Sequence, residues 1–408
     1  MADLLLVVNA GSSSLKFQVY RLTAPTVPAA AYGGQISGIG GRTPAFRVKS
    51  SDGALWVEKA LSPHEAADLH SAQHTLAHWI RSQVDHAPIA VGHRIVHGGP
   101  HFKDSVIIDA GVLRALETLI PLAPLHQRNN LSPVHAIREL WPQVPQVACF
   151  DTAFHRNHDD VVTHFALPAS LFDSGVRRYG FHGLSYEYIA ETLRRELPDV
   201  ARGKVIVAHL GSGASACAML DGRSIDSTMG FTALDGLPMG TRPGRLDAGV
   251  LLWMMEQGYD HDRIQHLLYN ESGLKGLSGL SGDVRDLLAS NSAAAKLAID
   301  YFVYRSAESL AGLCVALGGL EALVFTAGIG ENSPAVRAGI CERLAWLGIT
   351  IDAARNEANV RCISASTSNV PVYVVPTNEE LIIARQTLAR IAQLPPSAGE
   401  RVARPAIP

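Results

Sequence analysis

A strand, a turn of glycine and small hydroxyl residues, and a second strand occur in each half of this chain. The first copy begins with the apolar run Leu4–Val8 and turns at Asn9-Ala10-Gly11-Ser12-Ser13-Ser14. In its second strand Leu15, Phe17 and Val19 alternate with Lys16 and Gln18, the period of two of a half-buried strand. The second copy runs from the apolar Lys204–Ala208 through His209-Leu210-Gly211-Ser212-Gly213-Ala214-Ser215 into Ala216–Leu220, with a hairpin signal at Asp221-Gly222. The repetition predicts an internal duplication. At 408 residues the chain also exceeds one ordinary domain, so two are expected.

Helical patterns follow each hairpin. Ser185–Leu197 stops at Pro198, and Leu297–Leu317 stops at Gly318-Gly319. The strand Ala322–Thr326 leads into Gly328–Asn332, a strand-to-helix loop ended by Ser333 as N-cap and Pro334 at the first helical position. A strand at Val372–Val375 precedes a helix over Asn378–Ile391, with Thr377–Glu380 as a capping box in which Glu380 reaches back to Thr377. Residues 395–408 are expected to be a disordered tail, and Gly33–Ala60 carries little signal beyond strands and turns.

Composition removes whole classes of function. The chain is 47% hydrophobic and 18% charged with a formal charge of −3, so no broad basic surface awaits nucleic acid. The expectation is a cytoplasmic enzyme with no nucleic-acid or membrane partner. No apolar run approaches the roughly 18 residues of a membrane span, and Leu4–Val8 is a strand rather than a signal peptide. The five cysteines form no CxxC pair, which fits reduced, buried thiols.

An anionic ligand must therefore be met locally. There is no Gly-x-x-x-x-Gly-Lys-Ser/Thr, which excludes a P-loop, and the Gly211-x-Gly213-x-x-Ala216 mimic of a dinucleotide fingerprint is followed by a strand instead of the required helix. The Gly/Ser turns suit a phosphate cradle, because small residues let backbone N–H groups approach an anion. Asn9–Lys16 adds an amide oxygen, hydroxyls at Ser12 and Ser14, and an ammonium. Gly328–Asn332 can seat a nucleotide's sugar and phosphates at a helix N-terminus. Arg94 lies between His93 and His97 in an apolar strand, and a buried arginine requires an anionic partner, structural or substrate. Asp151 ends the apolar Val144–Phe150; His182 precedes a helix in Arg177–Gly183; Arg242 occupies the loop Gly240–Gly244; Glu379 is left for a cation once Glu380 caps. Each of these has a plain structural alternative: a turn acid, a core histidine, a surface arginine, a first-turn acid.

The segments Val8–Lys16, Gly92–Gly99, Ala123–His126, Phe150–His155, Arg178–Gly183, His209–Ser215, Met229–Arg242, Gly328–Asn332 and Thr377–Glu380, taken in that order, resemble the acetokinase family over nearly the whole chain. The resemblance implies an α/β, duplicated ribonuclease H-like (actin-like ATPase) fold, shared with actin, Hsp70 and sugar kinases. It implies an N-terminal domain over 1–151 completed by a helix at about 380–394, a nucleotide-binding domain over 152–379, an active site between them, and a homodimer. The implied activity is reversible, direct in-line transfer of the γ-phosphoryl group of ATP to acetate, giving acetyl phosphate and ADP, with Mg²⁺ (or Mn²⁺ as a substitute).

By that resemblance Asn9 and Glu379 position the metal. Lys16, with Ser12 and Ser14, serves the nucleotide phosphates. Arg94 and Arg242 bind the carboxylate and the migrating phosphoryl with Asp151 between them, His182 stabilises the transition state, and His126 lines the site. His209, Leu210, Gly211, Ser212, Gly213, Asp283, Val284, Arg285, Gly328, Ile329, Gly330, Glu331 and Asn332 bind the nucleotide. Val96, Leu125 and Phe181 form the acyl pocket. A carboxylate is already a nucleophile at neutral pH, so Asp151 is expected to orient rather than to take a proton. The chain departs from the family pattern at Ser212 (usually Asn), at Gln127-Arg128 (usually Asn-Pro) and at Ala233 (Pro in some members). If Ala233 lines the pocket, propionate fits as well, and a short-chain acyl kinase is the rival of the same class. An Hsp70- or actin-like ATP-binding protein is the rival of another class.

Overall fold

The computed structural model describes residues 3–11, 14–24, 27–83, 87–123 and 126–394. Ser12, Leu125 and the expected tail lie outside the described residues. The chain divides into two compact units, Met1–Phe150 with Glu380–Pro408, and Asp151–Glu379.

The first unit is built on an eight-stranded mixed sheet. Its strands are β1 (Leu4–Ala10), β2 (Ser14–Ala24), β3 (Val27–Ser37), β4 (Ala45–Ser50), β5 (Leu55–Ala60), β6 (Ala90–Ile95), β7 (Val106–Ile107) and β8 (Gln146–Phe150), in the order β5-β4-β3-β2-β1-β6-β8-β7. The apolar alternation of β2 does what the sequence requires: Leu15, Phe17 and Val19 are buried and Lys16 is exposed. Helices Leu69–Gln83, Gln127–Leu140 and Glu379–Ile391 complete the described core. The last of these packs on β6, where a Cβ on Gly92 would lie 2.7 Å from Ile383 Cγ2 and would collide with Thr387 Oγ1. Cys149 Sγ of β8 also approaches the Ile383 carbonyl at 3.9 Å.

The second unit carries β9 (Lys204–Leu210), β10 (Ala214–Leu220), β11 (Arg223–Ser227), β12 (Ala322–Thr326) and β13 (Val372–Val374), in the order β11-β10-β9-β12-β13. Here β10 is antiparallel to β9 and β11, while β12 is parallel to β9 and β13. The strands β3-β2-β1-β6-β8 repeat this arrangement with the same parallel and antiparallel senses. The duplication expected from the hairpins is therefore present as topology. Helix Ala293–Leu317 ends in the left-handed Gly318, and Gly319 N donates to Cys314 O at 3.0 Å, the closure expected of a Gly-Gly stop.

Two local expectations give way to tertiary partners. Residues Ala327–Asn332 form a short helix of their own rather than a plain loop; Ser333 stands at the N-cap and Pro334 opens the helix Pro334–Arg343 as expected, though without a side-chain cap hydrogen bond. Within the short helix Glu331 Oε1 accepts from Ala327 N at 2.8 Å and closes the turn on itself. The same oxygen accepts from Thr377 N at 3.1 Å, so the N–H that a capping box would hand to Glu380 goes to Glu331. No described helix is long and apolar enough to cross a membrane. The cysteines are free; Cys149, Cys217 and Cys341 are buried, while Cys314 and Cys362 are half-buried.

Candidate active site

In the first unit the ends of β2, β1 and β6 form a polar row. Asn9 is paired with Lys16 across the antiparallel ladder, and Val8 is paired with His93 on β6, so Arg94 falls one step further along, beside Asn9. Arg94 Nη1 lies 3.4 Å from Asn9 Oδ1. Behind this row helix Gln127–Leu140 braces the strand ends. Asn130 Nδ2 donates to Ala10 O at 2.7 Å, and its Oδ1 accepts from Val96 N at 2.8 Å. Gln127 is fully buried; it accepts from His97 N at 3.2 Å and donates to His97 O at 3.1 Å. The Gln at the unusual position is thus a brace for the segment that follows Arg94. His126 occupies the N-cap position of this helix. His93 is buried against Gln146 at 2.7 Å, and desolvation pushes its pKa down to about 4.

In the second unit His182 and Arg242 are brought to one hairpin, and Asp151 is tied by its carbonyl to the chain next to His182. Asp151 and Phe181 are buried. Gly183 N donates to Asp151 O at 2.8 Å, and any Cβ at Gly183 would collide with that carbonyl. His182 caps the helix Gly183–Glu196 in a left-handed conformation at φ 58°, a strained geometry for a residue with a side chain. Its ring is held from two sides. Nδ1 lies 2.8 Å from Ser215 Oγ, and the ring stacks on His209 with centroids 4.2 Å apart. A Cβ on Gly213 would sit 3.0 Å from Arg242 Nη2 and 3.3 Å from His182 Nε2, so both donors face the same small space over this glycine. Arg242 Nη1 donates to Ala233 O at 2.8 Å. Ala233 therefore contributes its carbonyl to the placement of the arginine.

The preceding residues are anchored by His155. Its Nε2 lies 2.9 Å from Phe181 O and its Nδ1 2.7 Å from Ser224 Oγ, with His158 Nε2 on the other side of that hydroxyl at 2.6 Å. Burial pushes His155 down to about 4 and His158 to about 3, so both are neutral near pH 7. Gly180 takes φ 71°, and a Cβ there would press to 2.6 Å from the His155 ring.

Beside the hairpin lies a cavity of about 700 Å³ lined by Gly211, Ser212, Asp283, Val284, Arg285, Gly328, Ile329 and Asn332, together with Gly240, Pro334 and Glu357 among others. A space of this size takes a nucleotide-sized ligand. Asp283 caps the helix Val284–Ala289 and its Oδ2 meets Arg285 Nη2 at 2.5 Å, so this pair is pre-formed. Gly240 N donates to Ser212 O at 3.2 Å, which ties the hairpin turn to the Arg242 loop.

The acetokinase family profile matches residues 4–385. The chain belongs to the acetokinase family. An acetate kinase of Nitrobacter hamburgensis is 53% identical over 388 residues, covering 95% of this chain and 96% of that protein. An acetate kinase of Rhizobium meliloti is 51% identical, covering 96% of this chain and 99% of that one. Among solved structures, a propionate kinase from Francisella tularensis superposes with TM-score 0.87 at 35% identity, covering 95% of this chain and 100% of that chain. Porphyromonas gingivalis acetate kinase superposes with TM-score 0.82 at 35% identity, covering 96% and 100%.

Within this acetokinase framework the expected residues fall into two groups. Asn9, Lys16 and Arg94 share one row, with Val96 and His126 near its end. His182, His209, Gly213 and Arg242 meet at the second hairpin, with Asp151 O tied to Gly183 N next to His182 and Phe181 O tied to His155. Gly211, Ser212, Asp283, Val284, Arg285, Gly328, Ile329 and Asn332 line the cavity. Leu210, Gly330 and Glu331 differ: none of them lines the cavity, Leu210 is fully buried, and the Glu331 carboxylate points to backbone N–H groups. Glu379 opens the final helix. The sequence marks Gln127 only as a departure from the family pattern and His155 and Ser215 only as members of motifs; it gives no bracing role to these residues, to Asn130 or to Tyr186. The one available signal was Gln127 and Asn130 at i, i+3, polar groups on the face that also carries the buried Leu131 and Val134.

Proposed function

We propose that this protein catalyses reversible transfer of the γ-phosphoryl group of ATP to acetate, forming acetyl phosphate and ADP. The observation that supports it most is the convergence of Arg242 Nη2 and His182 Nε2 over Gly213. A loose phosphoryl-transfer state spreads charge over three equatorial oxygens, so positioned cations and N–H donors supply most of the catalysis. Arg242 and His182 provide these donors on the second unit, and Arg94 is the cation offered to the acetate carboxylate by the first. Asp151, buried beside His182, orients its neighbours. The acetate oxygen attacks phosphorus as the bond to ADP breaks, and no proton must be removed. Val96 and Phe181 present apolar surface to the methyl group.

Asn9 Oδ1 and the Glu379 carboxylate are hard oxygen donors. Each is the kind of donor that suits Mg²⁺, which takes one or two protein oxygens and completes its shell with phosphates and water; an ion held by them would neutralise charge on the phosphates. Exposed Leu252, Trp253 and Met255 on helix Ala248–Glu256, a helix with no buried residue, support a homodimer, which light scattering tests directly.

Hydroxylamine trapping of acyl phosphate tests the reaction, with acetate, propionate and butyrate compared by kcat/KM. Acetate is expected to lead propionate by no more than about two-hundredfold, since one methylene in a pocket is worth only ~1–3 kcal/mol. Propionate well ahead would make this a propionate kinase. ATP hydrolysis with no hydroxamate from any short acid would favour an ATP-driven binding protein.

A further inference from the structure

We propose that Tyr186 and Ser215 fix the neutral tautomer of His182 through a chain of hydrogen bonds, so that Nε2 carries the proton and faces Gly213 as a donor. The proposal rests on the reading of His182 given above and adds two positioning residues to it.

The chain has three members. Tyr186 Oη lies 2.5 Å from Ser215 Oγ, and Ser215 Oγ lies 2.8 Å from His182 Nδ1. Tyr186 and Ser215 are both fully buried, and Ser215 is the hydrogen-bond partner of the phenol among the described residues. Burial also raises the phenol pKa well above its usual value, so the proton stays on Tyr186. A buried hydroxyl proton without an acceptor is costly. The phenol must therefore donate to Ser215.

Ser215 has one proton and two lone pairs. If it donated to Tyr186, the phenol proton would have nowhere to go. If His182 Nδ1–H donated to Ser215, the serine would accept twice and its own proton would be stranded. In the arrangement that satisfies both hydroxyl protons, Tyr186 donates to Ser215 and Ser215 donates to a bare His182 Nδ1. In the neutral ring the proton is then on Nε2. That nitrogen is the one 3.3 Å from the Cβ position at Gly213, next to Arg242 Nη2. It can donate to a phosphoryl oxygen, whereas the other tautomer would present a lone pair to an anion.

The test is nitrogen NMR of the full-length protein labelled in histidine, with the His182 signal identified by its loss in His182→Gln. The expected wild-type pattern is a protonated Nε2 and a bare Nδ1. Ser215→Ala should give a mixed or Nδ1-protonated ring and lower kcat by on the order of tenfold to a hundredfold, with KM for ATP within about twofold. Ser215→Thr, which keeps the hydroxyl, should restore both. Tyr186→Phe should cost less than Ser215→Ala, because Ser215 keeps a proton to donate. A wild-type Nδ1–H, or a Ser215→Ala variant with unchanged tautomer and unchanged kcat, overturns the proposal. If His182→Gln retains wild-type kcat while the tautomer is as assigned, the role given to His182 fails and the hydrogen-bond chain stands.

Discussion

The two hairpins have the same strand topology and carry opposite chemistry. At the end of the first sheet the row Lys16–Asn9–Arg94 crosses β2, β1 and β6. At the equivalent place in the second, Ser215 pairs with His209 and His209 with Thr326, across β10, β9 and β12. One row contains two cations; the other has no carboxylate, ammonium or guanidinium. The second unit obtains its cation from a remote loop, as Arg242, and leaves its strand ends to glycine, hydroxyl and imidazole groups. A duplicated scaffold has thus kept the place of the site and exchanged its contents. The first copy offers charged side chains, and the second offers backbone, small residues and a cavity.

The sharpest way to break this comparison is to exchange the importance of the two rows. Arg242→Ala is expected to lose at least about a hundredfold to a thousandfold in kcat. Arg94→Ala should lose a comparable factor in kcat/KM for acetate. Thr326→Val should stay near wild type, because the buried Thr326 Oγ1 has no hydrogen-bond partner among the described residues and the swap removes an unsatisfied group. Steady-state kinetics on the three variants decides it; a Thr326→Val loss as large as that of Arg94→Ala would mean that the rows are not specialised.

Acid should separate the units next. His93 in the first unit and His155 and His158 in the second all have pKa values depressed in the fold, to about 4, 4 and 3. The unfolded chain takes up protons at these residues near pH 6.5 and the folded chain does not. Their stability contribution is therefore constant above about pH 6.5 and falls below it, down to about pH 4 for His93 and His155 and about pH 3 for His158, by on the order of 3–5 kcal/mol per histidine at most. The second unit, with two such groups, should lose more. Hydrogen exchange in β9–β10 against β1–β6 at pH 7 and pH 5, corrected for intrinsic rates, measures this; equal losses would remove the contrast.

The smallest effect concerns the turn of the second hairpin. Ser212 lines the cavity with a shorter reach than an amide side chain. Ser212→Asn should lower KM for ATP by about twofold to fivefold, the range of one modest hydrogen bond, with kcat almost unchanged. A fall in kcat instead would place Ser212 on the transferring phosphoryl.

The hairpins were legible because a buried strand, a small-residue turn and an alternating strand each leave a local pattern. The β3–β5 extension was legible only as strands and turns and not as an ordered part of the sheet, since the edge strand β5 leaves Leu55 and Trp56 exposed. Chemistry-bearing side chains on strand ends could be picked out one by one. Their supports could not: Asn130 joins Ala10 from 120 positions away and His155 joins Ser224 from 69, and no spacing rule connects such pairs. The capping box failed for the same reason. Glu380 was the local candidate, and Glu331, 46 positions upstream, holds the Thr377 N–H.

The helix Glu379–Ile391, packed on Gly92 of β6, has a consequence for how the polypeptide is made. Most of the first unit precedes the second in the chain but needs this helix to cover β6 and β8. At ~5–20 residues per second, a ribosome needs roughly 10–50 s to make the intervening stretch. The second unit is one uninterrupted segment, complete before that helix emerges. The part of the chain synthesised first is therefore the last to close. During that interval the side of the nascent sheet bearing Gly92 and Cys149 is the surface on which a chaperone would act.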